Sequence, residues 1–170
     1  MRKKITFLSS IVLLLLFASN ISAQVKYEIP ADVQLNVKED YAKYENDIIA
    51  ATNWLETNSL DSEPEKRKLV SAFVMKWIMG SPSVNVSLTE QLQKLYGKNA
   101  SLLIIYMGSY TRHFLENKTT ATVFSGTKAG LISMMNVYKR GINITKGKEM
   151  EKLIKLTEEN KIDEYIKQKF

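Results

Sequence analysis

The sequence predicts an all-α protein: a compact single-domain bundle of six to seven helices, led by an extended arm and free of disulfides. Three observations carry this. After residue 36, apolar residues recur three and four apart through most of the chain. Ser-x-x-Glu starts and Gly or Pro stops punctuate the same stretch. The 170 residues contain no cysteine, so the fold must stand on its apolar core alone.

The elements follow in order. Arg2, Lys3 and Lys4 precede an apolar run of eight residues, Ile11 to Ala18, and then the small and polar residues Ser19 to Ala23. That is the pattern of a cleavable export signal over residues 1–23. The rival, an uncleaved anchor, needs about 20 apolar residues to span a bilayer. Ala23, with Ile21 two places before it, puts the cleavage between Ala23 and Gln24. No cysteine follows the run, which excludes lipid attachment at a lipoprotein site. Residues 24–36 alternate weakly around Pro30 and predict an arm with a short strand. Residues 37–170 then form the helical domain.

Asn36 and Glu39 mark a first helix start, and Tyr41, Tyr44, Ile48, Ala51 and Leu55 share its face to Asn58. Ser62 and Glu65, with Pro64 in the first turn, start a second helix. Its stripe is Leu69, Val70, Phe73, Val74, Trp77 and Ile78, and Gly80–Pro82 stop it. Val84 and Val86 lie in a short extended connection. Ser87 and Glu90 start a third helix, lined by Leu88, Leu92, Leu95 and Tyr96 and closed by Gly97. A fourth, Asn99 to Asn117, is apolar all round in its first half, the mark of a buried central helix. The fifth runs from Thr122 to Arg140. It tolerates Gly126 and Gly130, each costing about 1 kcal/mol relative to Ala, which predicts close approach of a neighbour. A sixth starts near Lys146, and a short last helix holds Ile162, Tyr165 and Ile166. No repeat divides the chain, so a solenoid is not supported.

Composition narrows the function classes. Three of the 24 basic residues lie in the leader and all 18 acidic residues lie beyond it. The remainder holds 21 basic against 18 acidic residues, a balance of +3. This is an ordinary solubility charge and does not point to nucleic acid. Thiol catalysis, zinc fingers and iron–sulfur centres are excluded by the missing cysteine.

Candidate motifs read as structural. His113, the single histidine, makes His-x-x-Glu with Glu116, but a metal site needs further ligands. It reads as an edge residue capping the polar end of the fourth helix. Ser125-Gly-Thr-Lys128 matches the Ser-x-x-Lys of serine β-lactamases, yet the Ser-Asp-Asn and Lys-Thr-Gly partners are absent. A serine triad could take its base only from His113. Glu39, Glu65 and Glu90 fit caps and first turns, and no acid falls in the apolar stripes. Sequons at Asn85, Asn99, Asn117 and Asn143 fit caps better than glycan sites. Trp54, Trp77, Tyr106, Tyr110 and Met107 fit a core better than a ligand pocket.

The run Trp77-Ile-Met-Gly-Ser-Pro-Ser-Val-Asn-Val86 resembles a motif in small exported all-helical proteins of Bacteroidota. The Ala23–Gln24 junction, Tyr41–Leu55, Tyr138-Lys-Arg and Glu149–Leu156 are similar too. The resemblance implies export and a helical fold, and it transfers no catalytic, cofactor or metal residue.

The reading is therefore an exported, periplasmic or secreted interaction or ligand-binding module. Its partner would be an envelope protein or a small ligand, with no cofactor and no stable membrane span after cleavage. The alternative is a small hydrolase using paired carboxylates, and the two divide on whether two acids converge in a cleft. Mass spectrometry of protein recovered from the envelope should give Gln24 as the mature N-terminus. A chain still beginning at Met1 or Arg2 would contradict cleavage.

Overall fold

The computed structural model describes residues 26–170. The leader, residues 1–23, and the Ala23–Gln24 junction lie outside the described residues. Among those described are eight helices: α1 (Lys38–Lys43), α2 (Glu45–Thr57), α3 (Pro64–Gly80), α4 (Glu90–Tyr96), α5 (Ala100–Glu116), α6 (Val123–Arg140), α7 (Lys148–Glu158) and α8 (Ile162–Lys169). The all-α bundle is as predicted, with one helix more than the expected upper count. The extra helix arises because the first one breaks at Tyr44.

α5 is the central element. Every residue from Ile104 to Thr111 is buried. α6 runs beside it, α2, α3 and α4 pack on its other sides, and α7 and α8 close the far end through α4 and α6. The crossing of α5 and α6 is set by small residues. A Cβ on Gly126 would stand 2.6 Å from the Phe114 ring and 2.9 Å from that of Tyr110. On Gly130 it would stand 2.7 Å from the Tyr106 ring and 2.9 Å from the Tyr106 carbonyl oxygen. Tyr106, Tyr110 and Phe114, four apart on α5, thus lie along the glycine face of α6. Tyr110 and Phe114 stack with centroids 4.8 Å apart.

The break at Tyr44 has a packing cause. Tyr44 leaves helical geometry at φ −105° and ψ 7°, and its N–H bonds back to the Tyr41 carbonyl at 3.2 Å. Both tyrosines then reach α3: Tyr41 lies 6.0 Å from Trp77 and Tyr44 meets Phe73 edge-on at 6.3 Å. Trp77, fully buried, donates its indole N–H to the Tyr41 carbonyl at 3.0 Å.

Residues 26–36 form the expected arm, with a turn at Ala31–Asp32 and no strand among the described residues. Tyr27 buries its ring in the core, Glu28 pairs with Lys66 of α3 at 3.2 Å, and the Gln34 N–H donates to the Tyr44 hydroxyl at 3.2 Å.

Several helix starts are shifted by a residue or two from their sequence signatures. At α1, Asp40 rather than Glu39 takes the N–H groups, from Asn36 at 3.0 Å and Val37 at 3.1 Å. At α3, Ser62 makes no cap; Glu63 turns the chain with φ 45° and Pro64 follows. At α4, Thr89 rather than Ser87 caps, accepting from the Leu92 N–H at 3.1 Å. Leu88 is left outside the helix and 62 % exposed, and Leu69 is likewise 60 % exposed.

Two outcomes follow from these contacts. Gly130→Ala should destabilise the fold by about 1–3 kcal/mol through overpacking, despite the ~1 kcal/mol that Ala ordinarily gains in a helix. The Tyr106 backbone cannot swing away as a side-chain tip can. Chemical denaturation giving an unchanged or higher stability would contradict the close crossing. Asp40 supplies a pH signature. The Lys43 ammonium, then the Asn36 and Val37 N–H groups, hold its carboxyl down to about 2 from 3.8. Its folded value lies below the unfolded one, so its stabilisation is present above about pH 4 and fades as pH falls toward 2. Asp40→Asn should therefore melt lower than the parent at neutral pH, with the gap closing across that window.

Candidate functional site

The structure brings one suggestive pair together. His113 Nε2 lies 2.8 Å from Ser125 Oγ, joining the end of α5 to the start of α6. The pair is a cap rather than a nucleophile and its base. Ser125 Oγ accepts from the Thr122 N–H at 2.9 Å, and Thr122 Oγ1 accepts from the Ser125 N–H at 3.1 Å, a reciprocal capping box. Asn117 Nδ2 donates to the His113 carbonyl at 2.9 Å and faces His113 Nδ1 at 3.4 Å. Ser125 Oγ in turn donates to the Thr122 carbonyl at 3.1 Å, so the serine proton is engaged within the cap and not directed at the imidazole. A general base needs the opposite arrangement. Lys128, the other half of the Ser-x-x-Lys match, pairs with Asp163 at 2.6 Å. Sequence reasoning gave His113 a capping role at the end of its own helix and missed its reach to the cap of the next.

The sequons divide. Asn99 makes a two-way bond to the Thr145 main chain, at 2.9 Å to the carbonyl and 2.8 Å from the N–H. Asn117 caps α5 as described. Asn85 and Asn143 are exposed, and Asn143 sits at φ 51° in a turn. The aromatic candidates Trp54, Trp77, Tyr106 and Tyr110 are all core, as is Met107. Burial pushes the Tyr106 and Tyr110 hydroxyls above their ordinary value.

The second polar cluster was not anticipated. Three arginines lie among the described residues, and all converge on the last turns of α2. Arg67, 8 % exposed, donates from Nη1 to the Leu55 carbonyl at 3.1 Å. Its Nη2 donates to the carbonyls of Asn58 and Ser59 at 2.9 Å each. Its guanidinium also lies 5.2 Å from the Trp54 ring centre. Arg140 donates to the Glu56 carbonyl. Arg112 donates to Asn53 Oδ1, and to Glu56 Oε2 at 2.8 Å. These cations meet the negative end of the helix dipole and its unpaired carbonyls. Burial first, and the Arg140 charge after it, pull the Arg67 guanidinium below its ordinary value. A usable signal existed: Arg67 is in register with Val70, Val74 and Trp77, so it points inward.

Two acids are drawn in from the surface although neither lies in an apolar stripe. Asp40 is buried by its cap bonds, and Glu56 keeps only 15 % of its side chain exposed because Arg112 draws it in. Other acids pair singly with lysines, as Glu45 does with Lys118 at 2.5 Å and Glu158 with Lys139 at 3.1 Å. Among the described residues no group of three His, Asp or Glu side chains could hold a metal ion.

What remains is an exposed, partly apolar face. Three shallow depressions follow the connection from α3 to α4. The widest, about 540 Å3, is lined by Ile78, Met79, Pro82, Val84, Val86 and Met107. One of about 220 Å3 shares Val84 and adds Phe114, Glu45 and Lys118. One of about 190 Å3 includes Leu88, Tyr96 and Leu103. Met79, 78 % exposed, stands beside them. Among the described residues, the backbone groups of Ser81 to Leu88 make no backbone hydrogen bond. Exposed apolar side chains next to main chain without main-chain partners are features of recognition surfaces. No family model, curated protein or solved structure matches the chain.

The Arg112–Glu56 pair yields a measurable outcome. Arg112→Met should cost about 2–3 kcal/mol, below the ~3–5 of a fully buried pair because Glu56 keeps some solvent. Adding Glu56→Leu should recover much of that loss, and a double-mutant cycle by denaturation measures the coupling. Independent, additive effects would contradict the pairing.

Proposed function

We propose that this protein is exported to the periplasm and acts without catalysis, as an interaction module docking through the Ser81–Thr89 face. The observation that carries the reading is the coincidence on that face of exposed Met79 and Leu88 with a main chain that has no main-chain partner. The leader residues and the resemblance to small exported helical proteins of Bacteroidota support the location. No helix among the described residues is long and apolar enough to cross a membrane. His113 and Ser125 are occupied in a cap, and Arg112 holds Glu56 through Oε2 as the anionic half of an ion pair.

The test is complementation of a deletion strain. Met79→Lys and Leu88→Lys alter exposed positions and should change stability by no more than about 0.5 kcal/mol. They should nevertheless fail to restore the biological role. Full complementation by both would contradict docking at this face. Loss of the role in a well-folded Glu56→Gln variant, with both lysine variants active, would favour the carboxylate hydrolase instead.

A further inference from the structure

The partner of this face can be argued from charge. Trp77 to Thr89 is a run of 13 residues without a charged side chain, bounded by Lys76 and Glu90, in a chain that is 25 % charged. Exposed extended edges are ordinarily guarded by lysines, inward-pointing charges or bulges. Here the only guard is Pro82, at one end. Burial alternates from Val84 to Ser87, with Val84 buried, Asn85 exposed, Val86 half-buried and Ser87 exposed, and the alternation ends at exposed Leu88. The chain bends at Pro82 and Ser83, and beyond the bend it runs to Thr89, whose backbone is extended.

Resting on the docking role above, we propose that the segment pairs antiparallel with the same segment of a second copy, about a two-fold axis at Val86. Two copies of a net-positive chain repel over most of their surfaces, and this face brings no like charges together. Glu45 and Lys118, which line the depression at one end, already neutralise each other. Antiparallel pairing sets the two Glu90 side chains about 27 Å apart at ~3.4 Å per residue, well beyond the ~8–10 Å screening length. Parallel pairing would set them side by side. The antiparallel arrangement is also self-complementary and closed, so it ends at a dimer. It satisfies main-chain groups of both copies and lays Leu88 of each over the apolar depression beside Val84 of the other.

Analytical ultracentrifugation of the exported protein over the micromolar range tests this. A concentration-dependent dimer is expected. Asn85 and Ser87 face each other across the axis in this register, and both are exposed, so substitutions there spare the fold. Asn85→Lys with Ser87→Lys should abolish the dimer, as should Asn85→Glu with Ser87→Glu. Mixing the two double variants should restore it. Because the chain has no cysteine, Val86→Cys should also give a covalent dimer on oxidation. A parent protein that sediments only as monomer overturns the pairing, as does a dimer indifferent to the charged variants. Either result leaves the docking role to be judged by complementation with the Met79 and Leu88 variants. Conversely, a confirmed dimer whose monomeric variants complement fully overturns the docking role and not the pairing.

Discussion

Tyr106 and Tyr110 of α5 lie directly against the backbone of α6 because Gly126 and Gly130 carry no Cβ there. That contact brings the two long helices close and fixes the rotation of each about its axis. The rotation of α5 in turn decides which side chains meet α2 and α3. Gly108 faces Thr52 of α2, with 3.0 Å to Thr52 Oγ1 from where a Cβ would stand. Arg112, one turn on, then reaches Glu56 and Asn53. Along α6 the same constraint carries Tyr138 inward, where its hydroxyl donates to Glu151 at 2.8 Å and accepts from the Gly147 N–H at 2.8 Å. A buried tyrosine thus holds the start of α7. In a protein with no disulfide, such contacts must supply the uniqueness that cross-links would otherwise supply.

Periodicity was enough to place the long elements. The unbroken apolar run at Leu102–Met107 marked α5 as central, and the two glycines marked the close crossing before any coordinates. What periodicity could not convey was which long-range neighbour wins at a given position. The first helix breaks at Tyr44 because two tyrosines both find aromatic partners on α3, a choice that local propensity does not encode. The caps shifted for a related reason. Asp40 bonds to Lys43 as well as to the two N–H groups, whereas Glu39 in the expected box would have been left outside. Leu69 and Leu88 fit an apolar stripe in sequence but stay largely exposed in space.

The arginine set shows the same limit more sharply. Each arginine is ordinary in sequence, and only tertiary structure makes them a group. Together they offset the carbonyls at the end of α2 and lock the turn leading to α3. His113 and Ser125 show the converse. Their proximity resembles a catalytic pair, yet the donor and acceptor directions assign them to capping. The exposed Ser81–Thr89 face was partly legible, since the extended connection at Val84 and Val86 was expected. Its exposure depended on Leu88 falling outside α4.

Native-state hydrogen exchange tests the central claim, that the α5–α6 crossing organises the rest, most directly. Amides of Ile104–Thr111 and Leu131–Tyr138 should exchange only through global unfolding, while α7 and α8 open at lower free energy. If α5 or α6 instead exchanged through local opening while α7 and α8 stayed closed, the crossing would not be the foundation of the fold.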